Sequence, residues 1–192
     1  MPNIIEMKPY HQLECDTLPQ IQRQVMEWIK NNRVDLLSSE SLWNKVNTLE
    51  LVRATPTLID YCNKLGLKLR EVALTVINQR NNAGLHIDEL PVTAKMNIPI
   101  HNTMDSYNRW YRIPKEMFDS VGATENEFGK KYYSFTDVDY EKLEMVGELE
   151  LLSPVIFNSQ IAHNIILGDK CQLPRVVMAC TFFNEPIHYL QD

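Results

Sequence analysis

The sequence predicts a mainly β chain with helices at its N-terminal side: an eight-stranded jelly-roll barrel with the helices packed on its outside. Three observations carry this. Before residue 67 apolar residues recur at helical spacing. From Lys68 onward they fall into short segments rich in Val, Ile, Phe, Tyr and Thr, broken by Asn, Gly, Asp or Pro. Finally, 192 residues without an internal repeat, a low-complexity tract or a Gly/Ser-rich linker fit a single domain over 1–192, with 1–67 as helical support and 68–185 as the barrel.

The elements follow in order. From Leu18-Pro19 through Asn32, the residues Ile21, Val25, Trp28 and Ile29 recur at i, i+4, i+7 and i+8, one face of a helix, and Asn31-Asn32 suits its end. A second helix follows Thr55-Pro56, with Thr55 as cap, Pro56 in the first turn, Leu58, Ile59, Cys62 and Leu65 on one side, and Gly66 as the stop. Strands are expected near 70–78, 93–101, 107–113, 131–136, 148–157, 161–167 and 175–183. In the second of these, Ala94, Met96, Ile98 and Ile100 share one side, and Thr93, Lys95, Asn97, Pro99 and His101 the other. One face is core and the other is polar. Region 114–130, with Pro114, Gly122 and Gly129, reads as a loop or short helix over the mouth of the barrel.

Composition narrows the classes without choosing an activity. A net charge of −6, from 19 basic and 25 acidic residues, disfavours a protein that neutralises the phosphates of a duplex, so nucleic acid is not an expected partner. No apolar run reaches the ~20 residues of a membrane helix. The start, Met1-Pro-Asn-Ile-Ile-Glu-Met-Lys, lacks a basic region followed by an apolar one, which makes the expected setting cytoplasmic. Cys15, Cys62, Cys171 and Cys180 contain no C-x-x-C and read as buried or idle thiols.

Histidines carry the chemistry. In Asn81-Asn82-Ala83-Gly84-Leu85-His86-Ile87-Asp88, just after a strand, His86 and Asp88 are two residues apart; in extended chain both side chains face one way and can reach one metal ion. Such a pair arises often by chance, and the distal half of the chain is what singles it out. His163 opens one strand, and Arg175, 12 residues later, opens the next on the same face as Val177, Ala179 and Thr181. A guanidinium along a barrel interior needs an anion, and its planar fork suits the carboxylate of a dicarboxylate cosubstrate. His86, Asp88 and His163 make two imidazoles and one carboxylate, the donor set that leaves open positions on Fe(II). His11, His188 and His101 read as surface or packing residues, and the aromatics of 107–111 as core.

This order, His86-x-Asp88, a distal His163 and an Arg175 that opens the last barrel strand, resembles the Fe(II)/2-oxoglutarate-dependent oxygenases, whose core is a double-stranded β-helix, a cupin-like jelly roll. Within that superfamily Leu85 to Ile100 and Val176 to Phe183 are most similar to the aspartyl/asparaginyl β-hydroxylase-like branch and related small hydroxylases, and the resemblance covers roughly residues 70–183. It implies Fe(II) on His86, Asp88 and His163, 2-oxoglutarate chelating the ion with its far carboxylate on Arg175, and O2 as oxidant. The implied reaction hydroxylates an unactivated C–H bond of an amino acid or of a peptide or protein side chain, and releases succinate and CO2. The branch carries Arg-Met-His where this chain has Lys95-Met96-Asn97, and a Ser where it has Thr75, so Lys95, Asn97 and Thr75 are the implied further cosubstrate contacts. No catalytic residue beyond the metal site is implied.

Two positions depart from that branch. Asp88 stands where some members have Gly, which brings the chain nearer the general triad. The spacing from His163 to Arg175 is slightly longer than usual, and the difference falls in the turn 168–173, where insertions cost little. The residues by themselves leave two other uses of such a barrel open. One is a non-catalytic cupin-like small-molecule binding protein with Arg175 as the clamp; the other is a metal-dependent isomerase or hydrolase that activates water and has no need of Arg175. Oligomeric state is not legible.

Overall fold

The computed structural model describes residues 7–39, 41–80, 83–88, 92–125 and 131–191. The two helices named from the sequence form where expected, at Leu18–Asn32 (α1) and Pro56–Lys64 (α3), with Gly66 ending the second at φ +70°. Between them lies an unforeseen helix, Thr48–Ala54 (α2), in which only Leu51 is buried; so short an element shows no apolar period. Asn47 starts it by accepting from the amides of Leu49 and Glu50. Thr55 is the N-cap residue of α3, as expected, but its side chain makes no capping hydrogen bond. Its hydroxyl turns back and donates to the carbonyl of Leu51 at 2.7 Å.

The strands are Tyr10–Gln12 (β1), Trp43–Lys45 (β2), Leu69–Ile77 (β3), Ala83–Ile87 (β4), Ala94–His101 (β5), Ser106–Arg112 (β6), Thr124–Glu125 (β7), Lys131–Phe135 (β8), Glu144–Glu150 (β9), Val155–Asn158 (β10), Ala162–Leu167 (β11) and Arg175–Phe182 (β12). They build two antiparallel sheets of six, ordered β1-β10-β5-β12-β3-β2 and β7-β8-β4-β11-β6-β9. This is the expected jelly roll, built among the described residues from twelve strands rather than eight, with β7 inside the stretch expected as a loop or short helix, and it differs in three further ways. Residues 1–67 are not helical throughout, because β1 and β2 form the two edges of the first sheet. The expected strand 148–157 is two strands, parted at Leu151–Pro154. His86 lies inside a strand rather than after one.

Alternation decides what each sheet face meets. On β12, Val176, Met178, Cys180 and Phe182 join Ile21, Val25, Ile29 and Leu58 in the main core, so the helices cover the outer face of the first sheet. Burial contributes about 1.5–3 kcal/mol for each such large side chain. Val177 faces the other way, into a small interior cluster with Leu151 and Val155. On the second sheet Leu85, Ile87, Tyr111, Phe135 and Ala162 form a cluster of their own. Met117 and Val121 pack on it, so the described part of 114–130, which includes a short helix Lys115–Asp119 (α4), covers the sheet's outer face rather than the barrel mouth. Apolar residues there fit an apolar wall better than a wet opening. Residues 126–130 lie outside the described residues.

The sandwich closes where β1 approaches β9. Gly147 makes this possible: a Cβ there would lie 3.0 Å from both Pro9 Cγ and Tyr10 Cε1. The Tyr10 ring stacks on Trp110 at 4.8 Å, and its hydroxyl donates to the carbonyl of Glu148. At one end of the barrel the turn before β12 is clamped. Arg80 donates to the carbonyls of Gly168, Asp169 and Cys171, while the Asp105 carboxylate accepts from the amide of Lys170. Among the described residues no helix is long and apolar enough to cross a membrane.

Candidate metal centre

His86 on β4 and His163 on β11 are directly opposed. Opposed side chains of an antiparallel pair leave the sheet side by side, and the two imidazole centroids are 4.4 Å apart. Because Leu85, Ile87 and Ala162 face outward, alternation turns both rings inward. Each ring is fixed in the same way. Nδ1 of His86 lies 2.8 Å from the carbonyl oxygen of Gly84, and Nδ1 of His163 lies 2.8 Å from that of Ile161. A carbonyl only accepts, so Nδ1–H donates and Nε2 keeps its lone pair for a metal.

Asp88 follows β4 on the same face, and its amide donates to the carbonyl of Ser159 at 3.0 Å. Its carboxylate bridges the rings, with Oδ1 3.7 Å from His86 Nε2 and Oδ2 3.8 Å from His163 Nε2. Donor atoms of the three residues lie within 4.8 Å of one another. Two ligands at about 2.1 Å from one ion and at right angles are about 3 Å apart, so small side-chain rotations close this set on a cation. The donors fit a borderline first-row divalent ion.

Lys95 supplies the local counter-charge. Its Nζ is 3.1 Å from Asp88 Oδ2 and 5.7 Å from the centre of the Trp43 ring, and the residue is buried. Burial alone would raise the Asp88 carboxyl; Lys95, followed by the two imidazoles, overrides it and holds the group well below the usual carboxylate range. For His163, burial and then His86 push the imidazole down to about 4 against the pull of Asp88. At neutral pH His163 is therefore neutral, the form that ligates a metal.

Arg175 opens β12 and is fully buried. Nε donates to Ser106 Oγ at 2.5 Å, but Nη1 has no partner, and among the described residues no carboxylate pairs with it. Burial lowers its pKa to about 10, with Cys171 pulling the other way. An unpaired cation in a protein interior costs several kcal/mol, and the free Nη1 can donate to an anion that reaches it.

Thr75, Lys95 and Asn97 lie on the inner face of the first sheet: Thr75 opposite Val177, Asn97 opposite Ala179, and Lys95 opposite Phe157. Thr75 is buried and Asn97 half-buried. Lys95 is engaged by Asp88. His101 is exposed at the far end of β5; His11 and His188 pack against Tyr189. All four cysteines are free thiols, Cys15 half-buried and the others buried.

Trp110 and Tyr111 are buried, as expected of core aromatics, but nothing in the sequence marks Ser106 and Asn108, which share the inner face of β6 with Trp110; the three stand opposite Leu167, Ile165 and His163. Asn108 Oδ1 and Trp110 Nε1 are buried without a hydrogen-bond partner. Their stretch, Ser-Tyr-Asn-Arg-Trp-Tyr-Arg, mixes polar and aromatic residues on both faces, so alternation alone did not show which face is inside. Tyr107 points the other way, and its hydroxyl donates to Asp105 Oδ1 at 3.3 Å.

A cleft of about 600 Å³ is bounded by Pro9, Tyr111, Ile113, Phe118, Val146 and Ile161; His86, Asp88 and His163 are not among its lining residues, and Tyr111 and Ile113 belong to the outer-face cluster of the second sheet.

No model of a known protein family matches the chain, and no curated protein does. Among solved structures it is similar to the epimerase SnoN in complex with Fe3+, alpha ketoglutarate and nogalamycin RO, at 12% identity and a TM-score of 0.50 over 98% of this chain and 88% of that one. It is also similar to HygX from Streptomyces hygroscopicus with nickel and 2-oxoglutarate bound, at 12% identity and a TM-score of 0.49 over 95% of this chain and 86% of that one. A third is AviO1 from Streptomyces viridochromogenes Tue57, at 10% identity and 0.47 over 95% and 93%. At such identities the likeness is one of fold: the chain is a cupin-like jelly roll with helices on its outer face.

Proposed function

We propose that the chain is an Fe(II)- and 2-oxoglutarate-dependent oxygenase. One observation carries the reading beyond metal binding: a buried guanidinium with a free Nη1 shares the barrel interior with a His–Asp–His donor set. A metal-dependent hydrolase or isomerase has no special need of that cation, and a metal-free binding protein has none of two imidazoles whose Nε2 atoms are held toward a carboxylate. In this reading His86, Asp88 and His163 hold the ion, and Arg175 takes the distal carboxylate of 2-oxoglutarate through charge-assisted hydrogen bonds. Thr75 and Asn97 line the cosubstrate pocket. Lys95 reaches it from the Asp88 side.

Fe(II), when bound, supplies with O2 the oxidative power that converts 2-oxoglutarate to succinate and CO2 and attacks a C–H bond. The chain's own residues supply orientation and dryness. Nδ1–H donation to Gly84 and Ile161 keeps both imidazoles in one tautomer; the Lys95 contact keeps Asp88 ionised; Trp110 and Phe157 wall the interior beside His163. The prime substrate is an amino acid or a peptide or protein side chain, as in the aspartyl/asparaginyl β-hydroxylase-like branch.

An anaerobic titration of Fe(II)-loaded protein with 2-oxoglutarate tests the reading. A visible iron-to-keto-acid charge-transfer band is expected, and it should disappear in His163→Ala. No binding of 2-oxoglutarate by iron-loaded protein would sink the proposal. Product mass then separates hydroxylation, which adds one oxygen, from epimerisation, which adds none.

A further inference from the structure

The inner face of β6 forms a column from one end of the proposed pocket to the other. Ser106 is joined to Arg175 at one end, and Trp110 is opposite His163 at the other. Asn108 stands between them, one inward position from each, and inward positions repeat about every 6.7 Å along a strand. The pairing of β6 with β11 runs without a bulge from Ser106 to Tyr111, so all three side chains share one face.

Asn108 is 3% exposed, and its Oδ1 has no hydrogen-bond partner. Trp110 Nε1 and Arg175 Nη1, on either side of it, have none either. Across β9 its opposed residue is Leu149, which packs with Leu151, Val155 and Val177. That wall has no side-chain donor or acceptor to offer. Buried polar atoms without partners are rare in folded proteins, and two in one column of β6, beside a third on the unpaired Arg175 guanidinium, point to a ligand with polar atoms along its length.

We infer that Asn108 is a cosubstrate-contacting residue whose side-chain amide donates from Nδ2 to an oxygen of 2-oxoglutarate held between the ion and Arg175. This rests on the proposed function above. A five-carbon diacid is about 5 Å long between its terminal carbons, from C–C bonds of about 1.52 Å, so a molecule reaching from the ion toward Arg175 passes the level of Asn108. The orphaned Oδ1 is an acceptor and cannot bond a carboxylate or keto oxygen, so on binding the amide makes a half-turn about χ2 that puts Nδ2 in its place and gives the ligand a donor without a second cation. Aspartate there would repel the diacid, and leucine would fill the same space with nothing to donate.

The test is isothermal titration of 2-oxoglutarate into the Mn(II)-loaded full chain, for wild type, Asn108→Leu, Asn108→Asp and Arg175→Met. Asn108→Leu is expected to weaken binding about tenfold and Asn108→Asp further, with Mn(II) affinity in both within about twofold of wild type. Thermal unfolding gives a second readout. Without cosubstrate Asn108→Leu should melt at or above wild type, because it removes an orphaned polar atom, and its gain in Tm on adding 2-oxoglutarate should be smaller. If both Asn108 variants bind 2-oxoglutarate like wild type while Arg175→Met is clearly weakened, the role of Asn108 is refuted and the cosubstrate reading survives. If wild type binds no 2-oxoglutarate, both fall together.

Discussion

Arg175→Met separates a residue kept for stability from one kept for a ligand. In the fold the guanidinium is a burden: the fall of its pKa to about 10 corresponds to about 3 kcal/mol at 1.36 kcal/mol per pH unit, borne by the protein at neutral pH, where the group stays charged. Methionine replaces the apolar stem and carries no charge, so the substitution relieves that cost. It also removes the donor to Ser106 Oγ and leaves that hydroxyl buried, at about 1–3 kcal/mol. The two effects nearly cancel, and ligand-free Arg175→Met should be as stable as wild type or up to about 2 kcal/mol more stable, read from urea unfolding. Binding should move the opposite way. Loss of a buried charge-assisted pair costs about 2–5 kcal/mol, a drop in 2-oxoglutarate affinity of more than about thirtyfold by calorimetry. A variant destabilised by more than about 3 kcal/mol that still binds 2-oxoglutarate normally would show that Arg175 is a structural residue and would refute the reasoning.

Three further predictions follow from the same geometry. Lys95→Met leaves Asp88 without its counter-charge, and because that carboxylate keeps 18% exposure the loss in metal-free stability should fall at the low end of about 3–5 kcal/mol; saturating Mn(II) should recover most of it, measured by thermal unfolding with and without the ion. Metal-free protein should lose stability on acidification from pH 6.5 toward 4, since the unfolded chain then takes up a proton that folded His163 refuses; the drop is about 3 kcal/mol, complete near pH 4, and His163→Gln should flatten that slope in urea titrations across the window. Gly168→Ala puts a methyl into the Asp105 carboxylate, which is tethered by the Lys170 amide, so it should cost about 1–3 kcal/mol of stability; a neutral effect would mean that the turn yields freely.

The fold was legible where one period ran long enough to be seen. The α1 residues Ile21, Val25, Trp28 and Ile29, and the alternation from Ala94 to His101, each have a face that meets apolar core, and that contrast is written in the residues. Elements without such a face left no mark. The edge strands β1 and β2 are three residues each, and α2 buries one side chain. The site divides in the same way. His86 and Asp88 are local neighbours, and Arg175 shows itself as a charge among Val, Ala and Thr; the structure places all of them on inner faces, with His163 directly opposite His86. That opposition is a register, and a register is a property of two strands that neither carries alone. Asn108 was hidden for that reason: its significance is that it lies between Ser106 and Trp110 on the inside of a strand whose two faces look alike in sequence.

The metal residues and the cation come from opposite halves of the sandwich. His86 and His163 belong to the second sheet, and Arg175 belongs to the first. In the proposed complex, a diacid gripped at one end by the ion and at the other by Arg175 is therefore a rivet through the barrel. Prying the halves apart then requires releasing the ligand first, so a loaded protein resists separation of its two layers in a way that an empty one does not. Amide hydrogen exchange in β11 and β12 should slow together on loading, although these strands belong to different sheets.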